Sequence, residues 1–266
     1  MKINVALITS NELRHKYVAS FISSYPNIDL KLVVHESNVK LKKNPLYNEI
    51  KIVKNHVDAR QKSEIFFFKK FVKKTKKYQS INIKQGKIND KKIFQKIKNK
   101  KIDFVICYGT SIIKEEFINQ FKPNFFNIHL GLSPYYKGAG TNFFPFVNNE
   151  LHFCGSTIMQ LNKKLDSGKI IHQIRPSFEI NDDIHSIGNK IIQQTVNDLC
   201  KILTTKKKIK FFKIKSKFKS KIYKKKDFDY KKLKIALNNL SNKQVLSYIS
   251  KSKKKMEKKY PIIRQI

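Results

Sequence analysis

Asn127 and His129 stand two positions apart at the end of the apolar run FFNI, and Asp166 follows downstream in LDSG. An amide, an imidazole and a carboxylate set around one carbonyl could perform acyl transfer to an amine. The amide NH2 would donate to the developing oxyanion. The imidazole would share that donation or move the proton from the attacking amine. The carboxylate would hold the charge state of the imidazole and relay a proton through water. In a strand, alternate residues share a face, so Asn127 and His129 point one way and Ile128 points into the core. Asn-x-His alone is a weak pattern, because a histidine at a strand end is more often a satisfied structural residue.

The elements that would position these groups read as alternating strands and helices. INVALI (3–8), LKLVV (30–34), INI (81–83), IDFVICYG (102–109) and FFNI (125–128) are strand candidates. Between them lie a helix after Asn11, a basic helical stretch over 45–77 and a short helix in DKKIFQKIKNK. FCGSTIMQL and KIIHQIRPSF form two further strands joined by a turn at Asp166-Ser167-Gly168. A helix follows from about Asp182 to Leu203, capped by Asp182 or Asp183. The expectation is an α/β, Rossmann-like fold, a mostly parallel sheet with helices on both faces. Its ligands would bind beyond the carboxyl ends of the strands, where Tyr108-Gly109-Thr110 and Asn127-Ile128-His129 stand.

Composition shifts near 205, which places a catalytic domain at 1–204 and a small basic appendage at 205–266. In the latter, 212–223 alternates like a half-buried strand, two short helices follow at about 230–238 and 241–251, and the last residues read as a poorly ordered tail. The apolar content of 40% is ample for a core across 266 residues. No run approaches the ~18 apolar residues of a membrane span, and the amino terminus lacks a signal-peptide pattern. Three scattered cysteines argue against a disulfide framework or a zinc site and fit a reducing cytoplasm. No metal is expected.

The formal net charge of +38 invites a nucleic-acid reading. Against it, only four of the 57 basic residues are arginine, the residue suited to bidentate phosphate contacts. Lysine, asparagine, isoleucine and phenylalanine are what an AT-rich coding sequence writes, so the charge reads mainly as solvated faces. Arg14-His15, after the first strand, is a candidate anion-binding pair. Gly138-Ala139-Gly140 is too short for a phosphate cradle. Cys107 reads as inert, the remaining histidines as core or surface, and Phe66–Phe68 as core or the face of a homodimer.

NIHLGLSPYYKGAGTNF resembles the loop of formyltransferases that use 10-formyltetrahydrofolate, whose usual form is Asn-Ile-His-Pro-Ser-Leu-Leu-Pro and then Arg-Gly. CGSTIMQLNKKLDSGKIIHQ resembles that family's second signature, Gly-Val-Thr followed by Leu-Asp-Thr-Gly-Pro-Ile-Ile. IDFVICYGTSII is similar to its strand lining the folate pocket. The resemblance covers roughly residues 3–204. It implies that Asn127, His129 and Asp166 are the catalytic trio. It places Tyr108, Gly109, Thr110, Ser111 and Ile112 on one pterin wall and Asn162, Lys163, Lys164 and Leu165 on another. Ser133, Pro134, Lys137 and Gly138 would form the substrate loop over the formyl carbon, with Gly138 in the acceptor wall. Leu130-Gly131 in place of Pro-Ser, Lys137 in place of Arg, and Met159 where His is frequent put the acceptor in doubt.

The family implies three acceptors. An amino sugar on a nucleotide is the first choice, because residues 205–266 are too few for the barrel-like domain of the tRNA enzymes and exceed what the purine enzymes carry. Methionyl-tRNA stays open through the basic charge, and glycinamide ribonucleotide is third. Outside enzymes, the alternative is a polyanion- or RNA-binding protein on a formyltransferase fold. Retention of Asn127, His129 and Asp166 argues against that alternative.

Overall fold

The computed structural model describes residues 2–37, 51–75, 77–205, 207–214 and 219–266. Seven strands form one sheet: β1 (Ile3–Ser10), β2 (Ile28–Ser37), β3 (Ser80–Lys84), β4 (Phe104–Tyr108), β5 (Phe125–His129), β7 (Ser156–Gln160) and β8 (Ile170–Ile174). Their order is β3-β2-β1-β4-β5-β7-β8. The first five are mutually parallel, while β7 and β8 are antiparallel to their neighbours. β1 is buried almost throughout, as a central strand covered on both faces must be.

Helices α1 (Leu13–Ser24), α2 (Lys51–Lys74) and α6 (Ile184–Thr204) cover one face. They bury Tyr17, Val18, Ile22, Phe68, Val196 and Leu199 against Leu7, Ile106, Phe126 and Ile128. Helices α3 (Lys91–Lys98) and α4 (Glu115–Phe121) cover the other, where Ile93, Ile97, Phe117 and Ile118 meet Ala6, Ile8, Val105 and Phe125. The α/β expectation, with helices on both faces, holds. α1 begins behind Glu12 rather than Asn11, with no side-chain cap. Asp183 caps α6, accepting from the backbone N–H groups of His185 and Ser186, while the Ser186 hydroxyl accepts from the Asp183 N–H. Part of the stretch expected to be helical over 45–77 lies outside the described residues; within them the helix is Lys51–Lys74.

The segment after 205 differs from its sequence-based picture. Among the described residues of the expected strand, Lys221–Tyr223 form one (β9), paired in parallel with β6 (Tyr136–Gly138). Phe212 makes an isolated bridge to Ile170, and residues 215–218 of that stretch lie outside the described residues. Helices α7 (Tyr230–Ser241), α8 (Gln244–Ser247) and α9 (Lys253–Lys259) follow. Leu233, Ala236, Val245, Tyr248 and Tyr260 pack into a second core with Tyr136, Phe146 and α5 (Phe144–Val147). The tail is tied down as well. The Gln173 N–H donates to the Ile263 carbonyl at 2.7 Å, and the Gln265 N–H donates to His172 Nδ1 at 2.9 Å. These bonds occupy the free edge of β8, which would otherwise present unpaired backbone groups. Local alternation could not reveal them, because the partners are some ninety positions away in sequence.

Candidate active site

The chain order reverses direction between β1 and β4, so loops diverge there and leave a crevice at the carboxyl ends of the strands. A cavity of about 670 Å³ occupies it. Asn127 and His129 project from β5 on the same side, and Ile128 is buried among the α1 and α6 side chains on the opposite face. The connection from β7 to β8 folds back over β5 and brings in Asp166. Asn127 Nδ2 donates to Asp166 Oδ1 at 3.3 Å, and His129 Nδ1 lies 3.4 Å from Asp166 Oδ2.

Each orientation has a cause. His129 Nε2 is 2.9 Å from the Tyr136 carbonyl, which only accepts, so that nitrogen carries the proton. Nδ1 is then the nitrogen that can gain or lose one, and it faces the carboxylate. The Cys107 thiol donates to Asn127 Oδ1 at 3.3 Å. Reversing the amide would set its oxygen against Asp166, so the NH2 is directed to the carboxylate side. Cys107 is a buried thiol that orients the amide. Burial, and secondarily the charge of Asp166, push its thiol pKa up, so it stays a neutral donor.

Asp166 sits at φ 42°, an uncommon conformation for a residue with a side chain. It is held there by the Gly138 N–H, which donates to Oδ2 at 2.8 Å. Two glycines make this junction. At Gly138 (φ 91°) a Cβ would lie 2.0 Å from the Tyr223 carbonyl of β9; at Gly168 it would lie 1.6 Å from the Gln160 carbonyl. Gly138 thus lines the cavity but is demanded chiefly by the β6–β9 contact. A larger residue there would separate those strands rather than merely narrow the cleft.

The expected substrate loop divides. Gly138 lines the cavity, whereas Ser133, Pro134 and Lys137 do not. Ser133 is buried beneath it, its N–H donating to Thr157 Oγ1 at 3.0 Å and its carbonyl accepting from Gln173 Nε2 at 2.7 Å. Thr157 in turn donates to the Gly131 carbonyl at 2.7 Å, which is why the Gly155-Ser156-Thr157 strand backs this turn. Lys137 reaches Ser167 at 2.8 Å.

The residues expected on the pterin walls all line the cavity: Tyr108, Gly109, Thr110, Ser111 and Ile112 on one loop, Asn162, Lys163, Lys164 and Leu165 on the other. Ile112 is 82% exposed and Leu165 54%, leaving apolar surface beside the site. Glu36, which sequence reasoning missed, holds the first loop. Its buried carboxylate accepts from Ser111 N–H and Oγ at 2.7 and 2.6 Å, and from the Gly86 N–H at 2.7 Å. The available signal was an acidic residue closing an apolar strand at its carboxyl end.

The opposite wall comes from α1, α2, α6 and the segment after 205. It carries Arg14, His15, His56, Glu64, His185 and Phe228. Arg14 is not a free anion site: its guanidinium pairs with Glu12 and lies 2.6 Å from Glu64. Burial opposes its charge, but Glu64, Tyr108 and Glu12 together hold its pKa above the ordinary value. Burial, then Arg14, keeps His15 well below the usual histidine range; burial, then His185 and Arg60, brings His56 to about 4. Burial likewise lowers His185. Arg60 Nε lies 3.9 Å from Glu64, so two guanidiniums face two carboxylates, and near neutral pH the imidazoles of this wall are neutral.

Among the described residues, no group of three or more His, Cys, Asp or Glu side chains is placed to hold a metal ion, and no helix is long and apolar enough to cross a membrane. The three cysteines are free and buried. Phe68 is core, and Phe66 is exposed.

A doubly wound sheet with an amide, an imidazole and a carboxylate converging at its switch point defines a group-transfer architecture. The formyl transferase family model matches residues 31–203, and the chain belongs to that family. A methionyl-tRNA formyltransferase of Finegoldia magna is 28% identical over 182 residues, covering 65% of this chain and 57% of that protein. One of Pseudothermotoga lettingae is 31% identical over 102 residues, 38% of this chain and 33% of that protein. The matches thus span a third to a little over half of these relatives' lengths. Among solved structures, a phosphoribosylglycinamide formyltransferase from Anaplasma phagocytophilum superposes with a TM-score of 0.53 at 16% identity, over 76% of this chain and 84% of that one. A sugar N-formyltransferase from a Shewanella species gives 0.53 at 15%, over 90% and 87%. At such identities these structures establish the fold.

Proposed function

We propose that the protein transfers the formyl group of 10-formyltetrahydrofolate to a primary amine, and that the acceptor is an amino sugar carried on a nucleotide. The observation that carries the transfer is the convergence of Asn127 and His129 on Asp166, at 3.3 and 3.4 Å, in a cavity. The acceptor amine attacks the formyl carbon, and a C–N bond forms. Asn127 donates to the oxygen that becomes an oxyanion. The amine proton passes through water to the His129–Asp166 pair and on to N10 of the folate as the carbon–N10 bond breaks. The apolar edges at Ile112 and Leu165 suit the flat ring system of the donor. No metal is needed for these steps.

The charge-balanced helix wall supports the amino-sugar acceptor over a phosphate held at Arg14. Methionyl-tRNA is the second reading, favoured by the chain's similarity to proteins named methionyl-tRNA formyltransferase and by the net charge of +38. The test is release of tetrahydrofolate from 10-formyltetrahydrofolate, run separately with an amino-sugar nucleotide, methionyl-tRNA and glycinamide ribonucleotide. Turnover is expected with the first. Turnover with methionyl-tRNA alone moves the acceptor, and turnover with no amine would sink the transfer reading.

A further inference from the structure

Buried polar groups in folded proteins are nearly always hydrogen-bonded, and leaving one without a partner is costly. Three such groups gather along the helix wall of the cavity. His15 Nδ1, His56 Nδ1 and Asn142 Nδ2 are buried and have no hydrogen-bond partner, and all three residues line the cavity. His15 is 3% exposed, and Glu12 Oε2 stands 3.8 Å from its Nδ1, beyond hydrogen-bond range. Asn142 is fixed at one end only: Oδ1 accepts from the Gly155 N–H at 2.9 Å, leaving the NH2 unused.

The same wall has aromatic faces. Phe143 and Phe228 pack edge to face with centroids 4.9 Å apart, and the His56 ring lies 5.7 Å from Phe228 and 4.5 Å from His185. Phe228 arrives from the segment after 205, so that segment helps build the cavity rather than standing apart from it.

An anionic ligand would need cations to meet it; Arg14 is committed to Glu12 and Glu64, and Arg60, the other guanidinium of this wall, lies 3.9 Å from Glu64. Beside these paired charges the wall offers imidazole nitrogens, a carboxamide and apolar ring faces. A hydroxyl satisfies such groups because it both donates and accepts. The C–H face of a pyranose ring suits the aromatic floor.

We propose that His15, His56 and Asn142, floored by Phe143 and Phe228, form a subsite for an uncharged, hydroxyl-bearing ring: the sugar ring of the amine acceptor. This deepens the formyl-transfer reading and rests on it for the role of the bound amine. The subsite itself is a binding claim and is tested as one. Two shape-preserving variants separate recognition from folding. His56→Phe keeps a ring among its aromatic neighbours and removes the nitrogen. Asn142→Asp keeps the acceptor for the Gly155 N–H and removes the donor.

Titration calorimetry of free amino hexoses, with the amine at different ring carbons, measures binding to the wild type and both variants. Thermal melts establish that the variants are folded. At least one amino hexose binds the wild type, each variant weakens it roughly tenfold, the equivalent of one lost hydrogen bond, and inorganic phosphate does not displace it. Absence of binding by every amino hexose, equal affinity in folded variants, or displacement by phosphate overturns the subsite. The formyl-transfer reading fails separately, if sugars bind as described but no tetrahydrofolate is released when the donor is supplied.

Discussion

The two walls of the cavity are built on opposite plans. On the loop side, carboxylates are spent on backbone: Glu36 binds the amides of Ser111 and Gly86, and Asp166 binds that of Gly138. Side chains such as Ile112 and Leu165 are then left exposed. On the helix side, carboxylates are spent on other side chains, with Glu12 and Glu64 holding Arg14 while neutral histidines fill the space between. A wall fixed through its backbone can hold reacting groups in place while leaving apolar surface for a flat donor. A wall of mutually neutralised charges presents polarity without net charge. On the proposed function, donor and chemistry fall to the loops and acceptor discrimination to the helices.

The largest effect should come from the junction of the walls. His129→Ala and Asp166→Asn are each expected to lower kcat by roughly 10²-fold or more, the usual scale for a positioned acid/base group. Thermal melts should change little for His129→Ala. Wild-type turnover in either variant would remove the chemistry from this place and leave the comparison without a centre.

Glu36→Gln probes the loop wall. It loses the charge of a carboxylate that accepts three hydrogen bonds. The expected result is a KM for 10-formyltetrahydrofolate raised roughly 10- to 150-fold, the equivalent of about 1.5–3 kcal/mol for bonds to a charged group. The KM for the acceptor should be nearly unchanged. A rise in both constants together would mean that the walls are not independent.

The smallest effect is a pH dependence from the helix wall. His56 is held at about 4 in the folded protein, against an ordinary value of 6.5. Burial depresses His15 and His185 in the same direction. Between those values the unfolded chain binds protons that the folded chain excludes. Stability should therefore be full above pH 6.5 and fall as the pH drops toward 4. Urea midpoints measured across that range should show the slope, and it should be shallower in His56→Phe. A slope unchanged by that substitution would place the depressed histidines elsewhere.

The strand ends and the turn of the loop wall were legible locally, and the resemblance to formyltransferase motifs joined them into one site. FFNI before His129 and LDSG around Asp166 are contiguous stretches whose strand and turn character is local, and the alternation of Asn127, Ile128 and His129 follows from strand geometry. The parallel sheet was legible for the same reason, since short apolar runs separated by helical stretches admit few arrangements. The helix wall was not legible. Its members come from positions 14–64, 142–143, 185 and 228, and no local periodicity links His56 to His185 or Phe143 to Phe228. Arg14 and His15 were visible as a pair, but their partners were not. Glu64 lies fifty residues from Arg14, and it is this contact that turns a candidate anion site into a neutralised one. Likewise, residues 205–266 read as an appendage because composition reports solvation but not docking. The sequence by itself determined the sheet and the strand ends and turn that carry Asn127, His129 and Asp166, through short-range conformational preference, while the grouping of the three came from the resemblance to formyltransferase motifs. Only the tertiary structure decided what lies opposite, because charge balance and missing hydrogen bonds belong to groups that become neighbours after the chain has folded.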